Sequence, residues 1–194
     1  MHSYSSQIME IPSGEAGTKR TLEVMRTAVR QGMKDPAILP IARLIVSDAP
    51  EKDQWAEAVR LFYFMKDGIR YVKDPYDLEG VLFPRTTLWI KSGDCDDKTV
   101  AFAALAMSIG MPARFCAVKL AGKDQFSHVY PELFIKDRWM PFELTLKRAV
   151  PGVPYAEPSE KMRMEVSPDS AEDVTPASVF GRFIREIIDG IGGF

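Results

Sequence analysis

Cysteine is scarce in this sequence, which has only Cys95 and Cys116 among its 194 residues. Two cysteines cannot build the disulfide framework on which small secreted domains depend, and their scarcity is typical of a reducing compartment. Histidine is equally scarce, with only His2 and His128. Free thiols are therefore expected, and any chemistry that needs an imidazole has two residues to choose from.

The sequence also lacks an excess of basic residues and a long apolar run. Lysine and arginine number 25 against 27 aspartates and glutamates, for a formal charge of -2. Nucleic-acid binding normally relies on a basic excess that neutralises phosphates, so no nucleic-acid partner is expected. No segment reaches the ~18 apolar residues of a membrane-spanning helix, and the N-terminal sequence lacks the pattern of an export signal. We therefore expect a cytoplasmic protein without a membrane partner.

The length of the chain predicts one domain, because single domains usually have about 100 to 200 residues. Residues 1–17 are rich in serine and glycine and predict a flexible leader, and the domain itself is expected over residues 18–146. Residues 147–194 are rich in proline, then polar, and close with isoleucine and phenylalanine at helical spacing. This pattern predicts an arm that ends in an amphipathic helix. The helix could dock on its own domain or on a second copy of the chain, which would give a homo-oligomer.

Hydrophobic periodicity divides the predicted domain into helices followed by strands. Apolar residues at helical spacing predict helices between residues 18 and 70, and residues 71–93 predict a long ordered loop of the kind that often carries function. Partly alternating runs predict strands over residues 113–120, 127–135 and 138–146.

The segment SGDCDDKTVAFAALAMSIG, residues 92–110, places one of the two cysteines at a helix start. Asp94 is the predicted N-cap, and Asp97, three residues later, completes an acidic capping box, so the helix begins at Cys95. Beyond its first turn the segment is apolar on nearly every side, which predicts a helix buried all round that ends at Gly110. The positive end of the helix dipole favours a thiolate at this position.

The carboxylates around Cys95 act against that effect, because a nearby like charge raises the pKa of an acid. A reactive Cys95 therefore needs a cationic partner, and His128, at the start of a predicted strand, is the credible imidazole. The imidazole in turn needs a third group that orients it. With a two-residue turn at residues 136–137, Glu143 shares the face of His128 as its diagonal neighbour. A three-residue loop without a bulge would put Glu143 on the opposite face.

The order of these residues resembles the transglutaminase-like superfamily of papain-like cysteine enzymes. Three runs within residues 68–146 carry the resemblance: GDCDDKTVAFAALAMSIGMPARF, SHVYPELFI and RWMPFELT. The GDCDD and IRYVKDP motifs are most similar to the bacterial and phage members, and a phage origin would place the protein in the host cytoplasm or the virion. The resemblance implies an α+β fold in which the cysteine helix packs on a small antiparallel sheet, with extra N-terminal helices on one side.

The resemblance implies Cys95 as the nucleophile, His128 as the general base and acid, and Glu143 where the family usually has aspartate. It also implies an oxyanion hole at the N–H of Cys95, with Trp89 as the candidate side-chain donor. These roles predict a cysteine-dependent amide or peptide hydrolase that acts on a peptide or protein through an acyl-enzyme. Two alternatives stay open. One is a non-enzymatic assembly or binding module, which the longer Glu143 and the presence of Pro131 in the histidine strand favour; the other is a protein-glutamine acyl transferase.

The remaining chemical residues have simpler interpretations. Cys116 alternates with apolar residues on a predicted strand and is interpreted as a core residue. The acidic residues Asp74, Asp94, Asp96 and Asp97 offer oxygen ligands suited to calcium, but a full calcium-binding loop is missing and helix capping explains two of them better. We therefore expect neither a metal nor a cofactor.

Overall fold

Helices precede most of the strands in the structure, a computed structural model that describes residues 14–73, 80–155 and 158–168. Its helices are α1 (Gly14–Gly32), α2 (Ile38–Ile45), α3 (Gln54–Gly68), α4 (Pro84–Ile90) and α5 (Cys95–Ser108). Its strands are β1 (Arg70–Tyr71), β2 (Ser92–Gly93), β3 (Ala113–Lys119), β4 (Phe126–Ile135), β5 (Arg138–Pro141) and β6 (Glu160–Val166). Strands β1 and β2 form a parallel pair, and the others form an antiparallel sheet in the order β5-β4-β3-β6. The predicted α+β fold is confirmed.

Helix α5 forms the centre of the core. Every residue from Asp97 to Met107 is buried, which confirms the predicted helix buried all round. The helix packs against β4 and against each of the other four helices in the described ranges. Its alanines let these neighbours approach closely, and fully buried members are Ala101, Ala103, Ala104 and Ala106.

The predicted capping box fixes the start of α5. The carboxylate of Asp94 accepts hydrogen bonds from the N–H groups of Asp96 at 2.9 Å and Asp97 at 3.2 Å. The carboxylate of Asp97 accepts from the N–H of Asp94 at 3.2 Å and, through its other oxygen, from that of Leu82 at 2.7 Å. At the other end Gly110 has φ 90°, a left-handed conformation that glycine adopts without strain.

A two-residue turn joins β4 and β5, as the placement of Glu143 requires. Lys136 and Asp137 have φ values of 51° and 62°, the positive values of a type I′ hairpin turn. The paired residues of β4 and β5 end where Glu132 faces Pro141. The even loop keeps Glu143 on the side that the sequence analysis required for contact with His128.

Two predicted boundaries in the N-terminal half need correction. Helix α1 begins at Gly14, so the predicted leader over residues 1–17 extends too far, and its first 13 residues lie outside the described chain. The predicted loop over residues 71–93 contains α4 and β2. Pro84 lies at the start of α4, where its missing N–H removes no helical hydrogen bond, and seven residues are too few to show a clear period.

The predicted arm over residues 147–194 also needs correction. Its residues Glu160–Val166 form strand β6, which pairs along the whole length of β3. Met162, Met164 and Val166 alternate with charged residues, so the segment has the period of a strand although its composition is polar. The predicted terminal helix lies outside the described residues. Among those described, no helix combines the length and apolar character that a membrane span requires.

Gly93 packs directly against the capping box. A Cβ at this position would lie 2.6 Å from Cβ and 2.9 Å from Oδ2 of Asp97. We expect Gly93→Ala to lower the free energy of unfolding by about 1–3 kcal/mol, because the buried carboxylate must shift. Urea denaturation followed by circular dichroism measures this. Gly68→Ala is the matched control, since an added Cβ there meets no heavy atom within 4 Å. Equal destabilisation of the two variants would contradict the packing argument.

Candidate active site

His128 and Glu143 form a hydrogen-bonded pair at the edge of the sheet. Nε2 of His128 lies 2.7 Å from Oε2 of Glu143. Only 9% of the histidine side chain and 1% of the glutamate side chain are exposed. Glu143 follows the end of β5 and reaches back to β4. The structure thus brings together two of the residues predicted for the site, and a side chain one methylene longer than aspartate makes the contact.

Thr145 holds the second oxygen of this carboxylate. Its N–H donates to Oε1 of Glu143 at 2.8 Å, and its hydroxyl donates to the same atom at 2.6 Å. Burial alone would raise the pKa of Glu143, but the hydrogen bonds with His128 and Thr145 outweigh burial and hold that pKa below its ordinary value. The carboxylate is therefore ionised at neutral pH. The sequence analysis missed Thr145, although a hydroxyl two residues from a carboxylate is a common local hydrogen-bond donor.

A buried lysine lies near the same carboxylate. Lys98 is 1% exposed, and its Nζ donates to the carbonyl oxygens of Ile69 at 2.7 Å and Lys66 at 3.4 Å. Burial lowers the pKa of Lys98 to about 8, while the negative charges of Asp67 and Glu143 act in the opposite direction. A lysine inside an otherwise apolar helix carries no sequence signal that names its partners, and the sequence analysis did not predict this one.

Cys95 is the first residue of α5 and is half-buried. Its thiol donates to Oδ1 of Asp96 at 3.3 Å. Burial raises the pKa of the Cys95 thiol well above its ordinary value, and the carboxylates of Asp96 and Asp94 raise it further, while a hydrogen bond from the backbone of Val129 lowers it. The acidic neighbours therefore oppose ionisation, as the sequence indicated, and the thiol is neutral in this arrangement.

Val129 holds the start of α5 beside the histidine. Its backbone N–H lowers the pKa of the Cys95 thiol, and its carbonyl accepts the hydroxyl of Thr99 at 3.4 Å. The pairing between β4 and β5 ends at Glu132, so β5 does not occupy the backbone groups of Val129, which are available to the helix. Because Val129 directly follows His128, the N-terminal part of α5 packs against the segment of β4 that carries the histidine. Within the described residues no hydrogen bond joins Sγ of Cys95 to the imidazole.

Two tyrosine rings pack against the imidazole. The ring centroid of Tyr155 lies 4.8 Å from that of His128, and the centroid of Tyr130 lies 6.4 Å away. Tyr130 is fully buried in a small cluster with Cys116 and Val118, so the predicted burial of that cysteine is confirmed. Tyr155 comes from the segment that precedes β6. The aromatic contacts restrict the ring of His128 to the orientation in which Nε2 meets Glu143.

The structure gives no such support to the predicted role of Trp89. Its side chain is 84% exposed near the end of α4, and its role as an oxyanion donor stays a prediction.

The acidic residues at the start of α5 lie close to the thiol. Ligand atoms of Asp94, Cys95 and Asp96 lie within 4.8 Å of one another. The Asp94 carboxylate caps α5, and the thiol bonds to Asp96.

Comparisons with known proteins agree with this fold. The model of the transglutaminase-like superfamily matches residues 42–144, more than half of the chain. No curated protein matches this chain. Among solved structures, a candidate protease from Parabacteroides distasonis is similar with a TM-score of 0.54 and 9% identity, over 74% of this chain and 29% of that one. A candidate cysteine protease from Cytophaga hutchinsonii gives 0.46 and 14%, over 72% and 55%. This chain thus spans less than two thirds of either protein.

Loss of the Thr145 hydroxyl should destabilise the ionised carboxylate. We expect Thr145→Val to lower the free energy of unfolding by about 1–3 kcal/mol at neutral pH, because a buried oxygen of Glu143 loses a donor. Because folding lowers the pKa of Glu143, its stabilising contribution is present above the ordinary glutamate pKa of about 4.3 and is lost as the pH falls through the folded value. The difference in the free energy of unfolding between Thr145→Val and wild type should therefore become smaller at acidic pH.

Urea denaturation at several pH values measures this difference. Thr145→Ser keeps the hydroxyl and serves as the matched control, which should stay close to wild type across the pH range. A deficit in Thr145→Val that is the same at neutral and acidic pH would show that the loss does not come from the hydrogen bond to the ionised carboxylate.

Proposed function

Since the chain belongs to the transglutaminase-like superfamily, we propose that it is a cysteine-dependent amide or peptide hydrolase with the triad Cys95, His128 and Glu143. The observation that carries the proposal is the 2.7 Å contact between His128 and the buried Glu143. His128 lies on β4, the strand against which the cysteine helix packs. An ionised carboxylate is costly to bury, and here its hydrogen bonds orient an imidazole.

In the proposed mechanism the two ring nitrogens of His128 have separate roles. Nε2 is engaged by Glu143, so Nδ1 is left for the thiol. In the proposed reaction the thiol turns from Asp96 towards the histidine and transfers its proton from Sγ to Nδ1. Glu143 stabilises the resulting imidazolium, which supplies the positive charge that the acidic surroundings of Cys95 demand.

The thiolate then attacks the carbonyl carbon of the substrate. As the tetrahedral intermediate collapses, the C–N bond breaks, the imidazolium of His128 protonates the leaving amine, and a thioester forms on Cys95. His128 next takes a proton from water as the water oxygen attacks the thioester carbon. The C–S bond then breaks, the carboxylic acid is released, and the imidazolium returns the proton to Sγ of Cys95. No cofactor enters these steps.

The start of α5 supplies the proposed oxyanion donor. The N–H of Cys95 lies in the first turn of the helix, where backbone N–H groups have no acceptor within the helix. It is therefore suited to stabilise the negative oxygen of the tetrahedral intermediate. Trp89, six residues before Cys95, remains the proposed side-chain donor, and its exposed indole would have to meet the substrate from outside.

A non-enzymatic binding module is the second candidate function. The observation that favours it is the thiol of Cys95, which bonds to Asp96 and whose pKa is held high by burial and by two carboxylates. A cysteine kept in this state is unreactive. The two functions therefore differ in whether His128 activates the thiol in solution.

Alkylation of the native protein distinguishes them. We expect iodoacetamide to modify Cys95 faster in wild type than in His128→Ala, by about tenfold or more, because the histidine removes the thiol proton. Mass spectrometry of peptides measures both rates, and fully buried Cys116 is the internal control that should react only after unfolding. Glu143→Gln should give an intermediate rate. If Cys95 reacts equally in all three proteins, the binding module is the better explanation.

Water and amines compete for the acyl-enzyme, which separates a hydrolase from a protein-glutamine acyl transferase. We expect casein incubated with the protein and a fluorescent primary amine to be cleaved, without fluorescent label on its glutamines. Cys95→Ala is the control and should leave casein intact. Gel fluorescence and mass spectrometry read out both reactions, and label that depends on Cys95 in uncleaved casein would indicate the transferase.

A further inference from the structure

A recess of about 430 Å³ lies behind the candidate triad. Its walls come from the end of α3, from β1, from one residue of α5 and from the residues that follow Glu143. Of the ten described residues that line it, four are basic and one, Asp67, is acidic. The basic residues are Lys66, Arg70, Lys98 and Lys147.

The negative charge of Asp67 does not neutralise the basic residues of the recess. Asp67 pairs with Lys66 at 2.6 Å, and the carboxylate of Glu143 attracts Lys98. Among the described residues, two positive charges therefore remain in excess. Lys98 is 1% exposed and bonds to backbone carbonyls, which carry no net charge. Concave surfaces lined by one sign of charge focus the electrostatic field and concentrate ions of the opposite sign. The recess is therefore suited to an anion.

The recess adjoins both halves of the candidate site. The Thr145 side chain lines it and also holds the carboxylate of Glu143 at 2.6 Å. On the opposite side, Tyr71 pairs with Gly93, two residues before the cysteine. Lys98 lies one turn along α5 from Cys95, a spacing that puts the two residues on neighbouring parts of the helix surface. A peptide bound with one residue near the thiol would therefore have a neighbouring residue within reach of the recess.

Exposed apolar side chains lie among these charges. Tyr71 is 47% exposed and Leu146 is 40% exposed, and both line the recess. A compact inorganic anion would leave them unused, whereas a carboxylate on an aliphatic side chain contacts both the cations and the apolar surface. Arg70 can bind such a carboxylate through two parallel hydrogen bonds. We propose that the recess binds a carboxylate side chain of an acidic peptide. This site goes beyond the proposed hydrolase and does not require a reactive Cys95.

Binding of a fluorescein-labelled tetraglutamate peptide tests the site. We expect fluorescence anisotropy to show binding to wild type that weakens with added salt, and the double variant Arg70→Gln, Lys147→Gln to bind about tenfold more weakly or worse. Both side chains are exposed, so the variant should fold, as a thermal melt would show. The matched control is Lys34→Gln, Lys123→Gln, which removes two exposed charges elsewhere and should bind as wild type does.

The outcomes separate this site from the proposed chemistry. Cys95→Ala should bind the peptide as tightly as wild type. The test of peptide binding is therefore independent of the alkylation result. Equal binding by the two double variants, or equal binding of a tetraglutamine peptide, would overturn the proposal. Inorganic phosphate that competes as well as the peptide would overturn the assignment of the site to acidic side chains.

Discussion

The contact between the start of α5 and the open edge of β4 is the interaction on which the site depends. Strand β5 has four residues against ten in β4, so it stops short and leaves the backbone groups of Val129 to the helix. The N–H of Phe142 still donates to Pro131 at 2.9 Å, but Pro131 has no N–H to return. A longer β5 would pair with Val129, and the hydroxyl of Thr99 in α5 would lose its acceptor. The proline that looks unfavourable in a strand therefore lies where pairing has to end.

The charges of the site follow from the same packing. The carboxylates that start α5 as caps lie beside the thiol that a nucleophile must ionise, so one feature stabilises the helix and opposes the chemistry. The carboxylate of Glu143, which contacts the imidazole, is buried and ionised because Thr145 and His128 occupy its two oxygens.

Local rules predicted much of this arrangement. The capping box, the buried helix and the hairpin depend on residues close in sequence, so Asp94, Gly110 and the turn before Glu143 could all be predicted, and the parity of the hairpin then brought Glu143 to His128. What was missed depends on distant partners. Strand β6 pairs with β3 across more than 40 residues, where Ala113 faces Val166, and its polar composition concealed its alternation. Lys98 and Thr145 acquire their roles only from groups that the fold brings to them.

Strand β6 and the ring of Tyr155 extend the folded unit beyond the end of the family match. The family match stops at residue 144, before the segment that covers the imidazole and before the strand that completes the sheet. A piece of chain cut at that boundary would expose one edge of β3 and one face of His128. Recombination that exchanged only residues 42–144 would therefore not transfer the complete site. A transferred segment would have to extend through Val166 to include Tyr155 and β6.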